Sequence, residues 1–595
     1  MRKDADGMKS SVSKLFRGDI GSMSVKEGAA IFRPDDLDLT FMARAGLNYL
    51  RGNPDPCRGH ECKFSLGPLG IPCHYPMIPP NYYGYDPVSL GDTDVRMQWQ
   101  YRNMREMAGE TKSCDVERGV TVRILAYLKD DGLAWLNPAA ATGTAVEGEY
   151  VQIWTTAKIL VTLSELYRFG KERKVKMLAR HVFEALYKIV SWDGPRAWYM
   201  GCSPWKNGKW LMEGWAKQHG RNYPFIVEPL VSYWESCGDS QAIDLACAFA
   251  EGFIAGSQPD MSNQRVNPDT GAYEGHVHIH THAVWGVAHL GAILKEKRYL
   301  DWAHLVYAFT LANGTDYGWY PEQIPQDFYR SETCAVGDMV SLGVWLARGE
   351  CSDYWDHVER TVRNELRHSQ FFLTEPFIRL FTQLHKDKAA IVVEDALRKL
   401  KLLEGGFVAQ TTFDDWVSYP GNPHLGAAGL RNNGIHMMGC CPPEGMRGIW
   451  EAWRWAVEKG PEGIRINMAF SREHPSARIT AYSQEDGGYE VIARERANYL
   501  LRPPAWADKN SLKLLRNGKE YPINWEDKKK EYVVCRDVQP GEKIIICWKV
   551  FRFTQQFKAL SVPGKLQTVT VKWIGNEVCG VDPAGKYLTM FGRGD

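Results

Sequence analysis

From about residue 95 to 460, apolar positions recur at spacings of three and four, and each stripe ends in a glycine or charged turn before a second begins. Ile153, Ala157, Leu160, Leu163 and Tyr167 share one helical face, with Gly170 where a C-cap is expected. Ile226, Leu230, Tyr233 and Cys237 repeat the pattern ahead of Gly238-Asp239, and a partner helix is predicted from about Gln241 to Gly256. The same unit returns over 283–312, 336–366 and 372–403. Helical hairpins repeated without intervening strands build an open solenoid or a closed toroid. The irregular repeat lengths and the long loops rich in potential ligands favour a closed (α/α) barrel, whose loops surround one mouth.

After about Gly463 the period becomes two, in Arg478-Ile479-Thr480-Ala481-Tyr482, Tyr489-Glu490-Val491-Ile492, Leu512-Lys513-Leu514 and Tyr532-Val533-Val534. Asn517-Gly518 and Pro540-Gly541 supply turns, so a β-sandwich is predicted, with further strands from Thr568 to Phe591. The expected fold is mainly α with β: an N-terminal wrapping segment over 1–94, a barrel over 95–462 and a β-sandwich over 463–595.

With 595 residues, the chain is long enough for two or three domains. Its 72 basic and 71 acidic side chains leave a net charge of +1, which gives no electrostatic case for nucleic acid or an anionic membrane. No apolar run is long enough to span a bilayer and the first residues lack the apolar core of a signal peptide, so a cytoplasmic protein is expected. The 22 Trp and 27 Tyr suit both a large helical core and stacking on sugar faces. The sequence leaves a homodimer open.

Adjacent thiols at Cys440-Cys441 cannot easily pair with each other, and in a reducing compartment they point to a shared metal ion. Cys334 opens a predicted helix that Ser331 would cap and Glu332 would begin, and Glu322 lies in a Gly- and Pro-containing loop. Zinc held by Glu322, Cys334, Cys440 and Cys441 is the natural Zn2+ site of three soft thiolates and a carboxylate. Its net negative charge would raise the pKa of Glu332 toward that of a general acid, against the pull of the helix N-terminus. A closed tetrahedral ion that only clamps two loops is the alternative. Among His276, His278, His280 and His282, an extended stretch would present donors to sugar hydroxyls or bind a second metal. Cys57, His60, Cys62, Cys73 and His74 match no standard zinc spacing and are expected to be buried or to line a pocket.

Glu322, Glu332-Thr333-Cys334 and Cys440-Cys441-Pro442-Pro443 resemble the signature of glycoside hydrolase family 127, the β-L-arabinofuranosidases. His278-Ile279-His280-Thr281 is similar to that family's His-Ala-Asn-Thr motif, and Trp573-Ile574-Gly575-Asn576 through Pro583-Ala584-Gly585 looks like its closing β segment. The resemblance implies an (α/α)6 barrel followed by β-sandwich modules and a retaining exo-glycosidase that acts on an oligosaccharide or glycoside. It further implies that Cys440 attacks the anomeric carbon, Glu332 is the acid/base, and Glu322, Cys334, Cys440 and Cys441 bind zinc. His278, His280, Tyr419 and Asp415 are the expected sugar contacts. The chain departs from the pattern in its short Glu322-to-Glu332 spacing, in Glu444 where an Asn is common, and in Phe225 at the place of a sugar-binding His.

Two other readings remain at this level. Asp414-Asp415 beside Trp416 would serve an inverting hydrolase, in which two carboxylates activate water without a covalent intermediate. A carbohydrate-binding scaffold with a structural zinc would bind sugar and hydrolyse nothing.

Overall fold

The computed structural model describes residues 33–70, 92–136, 150–151, 153–199, 205–206, 209–210, 223–255, 266–325, 330–349, 352–418, 430–431, 434–526, 528–562 and 565–591. Helix α1 (Leu39–Gly52) precedes five hairpins: α2 (Asp92–Ala108) with α3 (Asp115–Leu125), α4 (Ile153–Gly170) with α5 (Arg173–Lys188), α6 (Val227–Cys237) with α7 (Ser240–Ile254), α8 (Val277–Leu294) with α9 (Lys297–Ala312), and α10 (Thr333–Gly349) with α11 (Tyr354–Thr361). Helices α12 (Glu375–Leu384) and α13 (Ala390–Leu400) follow, then α14 (Cys441–Trp455).

Burial sorts these helices into two layers. In α8, Val277, Ala283, Val284, Trp285, Val287, Ala288 and Leu290 are all buried, which only a helix surrounded by others permits. In α5 the buried set shrinks to Ala179, Val182, Phe183, Ala185 and Leu186, one stripe of an outer helix. Among the described residues, α2, α4, α6, α8, α10 and α14 each pack on the next, and α14 closes on α2, so the inner ring is an (α/α)6 barrel. Helix α1, from the opposite end of the sequence to α14, packs mainly on α2 and also touches α14.

Two predicted helix ends move. Helix α4 runs through Gly170, and Lys171 takes the left-handed turn at φ 55°. Ser331 and Glu332 form a strand instead of capping and opening a helix, which begins at Thr333. The end at Gly238, with φ 74°, is as the sequence indicates.

Short antiparallel ladders rim the mouth. Strand β1 (Ser65–Leu66) pairs with β6 (Met437–Met438), β2 (Gly275–His276) with β3 (Gln323–Ile324), and β4 (Ser331–Glu332) with β5 (Gln410–Thr411). Each ladder delivers the residue that opens an inner helix or faces it.

The β-rich part begins with a four-stranded sheet containing Val457–Gly460, Gly463–Ile466, Ala497–Leu501 and Val533–Val538. A six-stranded sheet includes Ala477–Ala481, Gly488–Ala493, Lys513–Arg516 and Lys543–Cys547. Their inner faces meet through Ile464, Ile466, Ile479, Val491, Leu501, Val533, Ile544 and Ile546, while Arg478 stays outside, the alternation that a half-buried strand requires. Asn517 and Gly518 both take positive φ at the predicted turn. The last strands, Arg552–Val562, Lys565–Ile574 and Glu577–Asp582, form a three-stranded sheet. Its Val569, Val571 and Trp573 pack into the barrel's own core. Among the described residues, no helix is long and apolar enough to cross a membrane.

Buried ion pairs fasten the sandwich to α11. Arg502 grips both oxygens of Asp356 at 3.0 and 2.8 Å, and the Ala505 N–H donates to Oδ2 at 2.9 Å. Burial alone would raise the Asp356 pKa, but Arg502 and these hydrogen bonds outweigh it and hold it below the ordinary carboxylate value. The stabilisation is therefore fully present above the unfolded Asp value of about 3.9 and is lost as pH falls through the lower folded value. Asp356→Asn is expected to cost about 3 kcal/mol at pH 7, with the gap to wild type closing below about pH 4. Urea titrations across pH check this, and a pH-independent gap would contradict it.

Candidate active site and metal centre

The mouth is built where α10 and α14 cross. A Cβ on Gly337 would lie 2.3 Å from the Glu444 carbonyl oxygen, so only glycine allows the helices to meet this closely. Each helix carries thiols in or beside its first turn, and the crossing joins them. Cys334 Sγ lies 3.3 Å from Cys441 Sγ, and Cys440 Sγ is 3.7 Å from Cys441 Sγ. Glu332, from β4, brings Oε1 to 3.9 Å from Cys441 Sγ. Donor atoms of Glu332, Cys334, Cys440 and Cys441 all lie within 4.8 Å of one another, which makes them a candidate metal-binding cluster.

The spacing fits an ion. A tetrahedron with sulfur corners about 2.3 Å from a zinc centre has edges of about 3.8 Å, comparable with the observed separations, and three sulfurs with one carboxylate suit a borderline-soft cation. The cysteines also differ in exposure, since Cys334 and Cys441 are fully buried and Cys440 is partly open. Hydrogen bonds from Cys334 and Cys441 pull the Cys440 pKa well below its ordinary value, whereas burial pushes those of Cys334 and Cys441 well above theirs. One sulfur is thus favoured as thiolate, and it is the reachable one.

Glu332, and not Glu322, lies with the sulfurs. Burial opposes ionisation of Glu332, but the His276 cation and its hydrogen bond, Nε2 to Oε2 at 2.5 Å, outweigh it and bring the pKa to about 2. His276 correspondingly rises to about 9, the Glu332 charge overcoming burial. Glu322 lies outside the sulfur cluster. Its Oε2 accepts from Arg330 Nε and, at 3.0 Å, from Gln410 Nε2. Burial, and then the Glu332 charge, raise its pKa despite Arg330. Glu322 is therefore not among the clustered ligand atoms, and Glu332 takes that corner. The reason is the β4–β5 ladder, which aims Glu332 at the sulfurs.

The histidine run divides because only His276 is extended and the rest lie in α8. His278 and His282, one turn apart, face Asp338 and donate to it from Nδ1 at 2.6 and 3.1 Å. Arg447 and Thr281 also donate to Asp338, so a cation between these rings would sit against a guanidinium. His278 Nε2, 3.4 Å from Arg96 Nη1, is near the mouth. His280 turns the other way, donates to the Glu274 carbonyl at 3.0 Å and packs on Tyr273, and burial lowers its pKa to about 3. Its expected sugar contact is replaced by a packing role.

Asp415 is also occupied. Its carboxylate accepts the N–H groups of Val417, Leu588 and Tyr587, and Asp414 accepts those of Gly585, Met590 and Phe591. The paired acids clamp the chain's last segment, which removes Asp415 as a sugar ligand and leaves an inverting pair without free carboxylates. Tyr419, Cys73 and His74 lie outside the described residues. Cys57 is exposed and Cys62 buried, with the Cys62 N–H held by Asp94 at 2.8 Å.

Sequence reading missed the charged floor beneath the thiols. Lys158 and Arg96 hold Asp92 at 3.3 and 2.6 Å, Arg96 also reaches Glu444, and Arg447 joins Glu444 to Asp338 at 2.6 Å each. Glu444, one of the noted departures, is matched by two arginines. Phe225, another, lies with its ring 4.4 Å from His282 and below the Arg96 and Lys158 cations. Helical spacing could have divided the histidines, but nothing local marks Arg96 as a partner for residue 444.

The barrel and sandwich define the class of fold: an (α/α)6 barrel with a β-rich C-terminal part, the architecture of a group of glycoside hydrolases. The chain is similar to a GH127 β-L-arabinofuranosidase from Geobacillus stearothermophilus T6, with a TM-score of 0.59 and 14% identity over 92% of this chain and 86% of that one. It is similar to another GH127 β-arabinofuranosidase, with a TM-score of 0.57 and 14% identity over 91% of this chain and 80% of that one. A third likeness is to a protein described as a glycoside hydrolase, with a TM-score of 0.55 and 12% identity over 89% and 85% of the two chains. No protein-family model and no curated protein matches the sequence. At these identities the likeness is one of fold.

Proposed function

We propose that this protein is a retaining exo-glycosidase that removes a terminal, β-L-arabinofuranoside-like sugar with Cys440 as nucleophile and Glu322 as acid/base. The observation that carries the reading is the meeting of Cys334, Cys440, Cys441 and Glu332 at the barrel mouth, with Cys440 the sulfur open to a substrate. The fold shared with GH127 arabinofuranosidases supports the choice of sugar. Thiol chemistry of this kind fits a reducing, cytoplasmic setting.

Glu332, Cys334, Cys440 and Cys441 would hold zinc. When bound, the ion supplies positive charge that keeps the sulfurs ionised and makes the Cys440 thiolate a better leaving group. The chain's own residues perform the transfer. Cys440 Sγ forms a bond to the anomeric carbon as the bond to the aglycone oxygen breaks, and Glu322 gives its proton to that oxygen. Glu322 then takes a proton from water, whose oxygen attacks the same carbon, and the C–S electrons return to sulfur. Two inversions give net retention. His276 holds Glu332 ionised throughout.

The test is NMR observation of the first hydrolysis product across a panel of furanoside and pyranoside aryl glycosides. The anomer that matches the substrate is expected, from a furanoside. The opposite anomer would reject the covalent route, and absence of hydrolysis from every glycoside would favour a sugar-binding scaffold.

A further inference from the structure

The ladder that aims Glu332 at the thiols also holds the other carboxyl group. In β4–β5, Glu332 lies directly opposite Gln410, and directly opposed residues project from the same face of an antiparallel pair. The Gln410 amide reaches Glu322 from there and donates to Oε2 at 3.0 Å, the oxygen that also accepts from Arg330. Among the described residues, no hydrogen bond reaches Glu322 Oε1. A carboxylic acid cannot keep its hydrogen on an oxygen at which two N–H groups are already aimed, so the proton of Glu322 belongs on Oε1.

A second observation concerns the other end of the amide. Gln410 is 4% exposed, and its Oε1 is buried without a hydrogen-bond partner among the described residues. Such an unmet acceptor costs about 1–3 kcal/mol, so this side chain is not placed for stability. The backbone just before it is fixed independently, by Thr333 N–H on the Ala409 carbonyl at 2.9 Å and Ala409 N–H on the His436 carbonyl at 2.7 Å.

We propose that Gln410 is a positioning residue that orients the Glu322 carboxyl so that Oε1 presents its proton to the leaving oxygen. The inference rests on the reading of Glu322 as the acid. Gln410 touches neither substrate nor sulfur in this scheme and acts through Glu322 alone.

Structural and positioning roles make opposite forecasts. If Gln410 only supports the fold, loss of its amide weakens stability and every substrate suffers alike. If it orients the acid, its replacement by Leu removes an unmet acceptor at little cost in stability, and the penalty grows with the difficulty of expelling the leaving group. The experiment compares kcat/KM, which reports the first bond cleavage, for 4-nitrophenyl and methyl glycosides of the sugar that the panel selects. For Gln410→Leu and the isosteric Gln410→Glu, kcat/KM on the methyl glycoside is expected to fall at least tenfold, against less than about threefold on the 4-nitrophenyl glycoside, with an unchanged denaturation midpoint for Gln410→Leu. Equal losses on both glycosides, or no loss on either, would overturn the proposal. Glu322→Gln run in parallel separates the two claims. If it too shows no leaving-group dependence, the acid assignment itself fails; if it alone shows the dependence, only the role of Gln410 is lost.

Discussion

Cys440→Ser is expected to remain folded and to lose turnover by roughly 10^4-fold or more, the scale on which loss of a nucleophile is felt. A serine hydroxyl in the same position stays protonated near neutral pH, and sulfur's polarisability is gone. The lost sulfur also leaves the cluster with Glu332, Cys334 and Cys441. Steady-state rates on the preferred aryl glycoside, together with a urea curve, check the prediction. Activity above about a tenth of wild type would remove Cys440 as the nucleophile.

The second large effect is on stability. Arg447 is fully buried, donates to Glu444, Ser341 and Asp338 at 2.6 Å each, and lies 4.1 Å from the centre of the Trp285 ring. Arg447→Met keeps most of the volume and takes one cationic partner from each of two buried carboxylates, leaving Arg96 on Glu444 and His278, His282 and Thr281 on Asp338, for an expected loss of about 3 kcal/mol. The denaturant midpoint should fall with an unchanged slope. Adding Glu444→Gln removes one of the two carboxylate charges and should restore part of the loss, a coupling that a double-mutant cycle reads directly. A loss under about 1 kcal/mol would mean that the floor is not held by this guanidinium.

The succession of helical hairpins was legible because apolar periodicity is a local property. The structure buries Val277 to Leu294, its histidines included, on every side and Arg173 to Lys188 along one stripe, a division into inner and outer layers that the periodicity alone did not give. Helix ends were less legible, since Lys171 takes a left-handed turn that a nearby glycine would take more cheaply. Ser331-Glu332 pairs with Thr411-Gln410, and a cap signal three residues long cannot report a strand partner 80 residues away.

For the candidate site, residue type was legible and role was not. Three cysteines and two glutamates stand out by chemistry alone. Which glutamate joins the sulfurs depends on the β4–β5 register, and which one keeps a raised pKa depends on burial, on the charge of the other glutamate and on His276 and Arg330. The Asp414-Asp415 pair had the right chemistry for a hydrolase, yet backbone N–H groups of residues 585 to 591 consume it.

By itself the sequence determined the succession of helical hairpins, the change to strands after the barrel and the set of side chains able to hold an ion, because these follow from periodicity and donor type. Tertiary structure decided which of those side chains face each other. That outcome depends on long-range contacts, on a glycine that lets α10 and α14 touch and on charges supplied from helices hundreds of residues apart, none of which leaves a local trace in the chain.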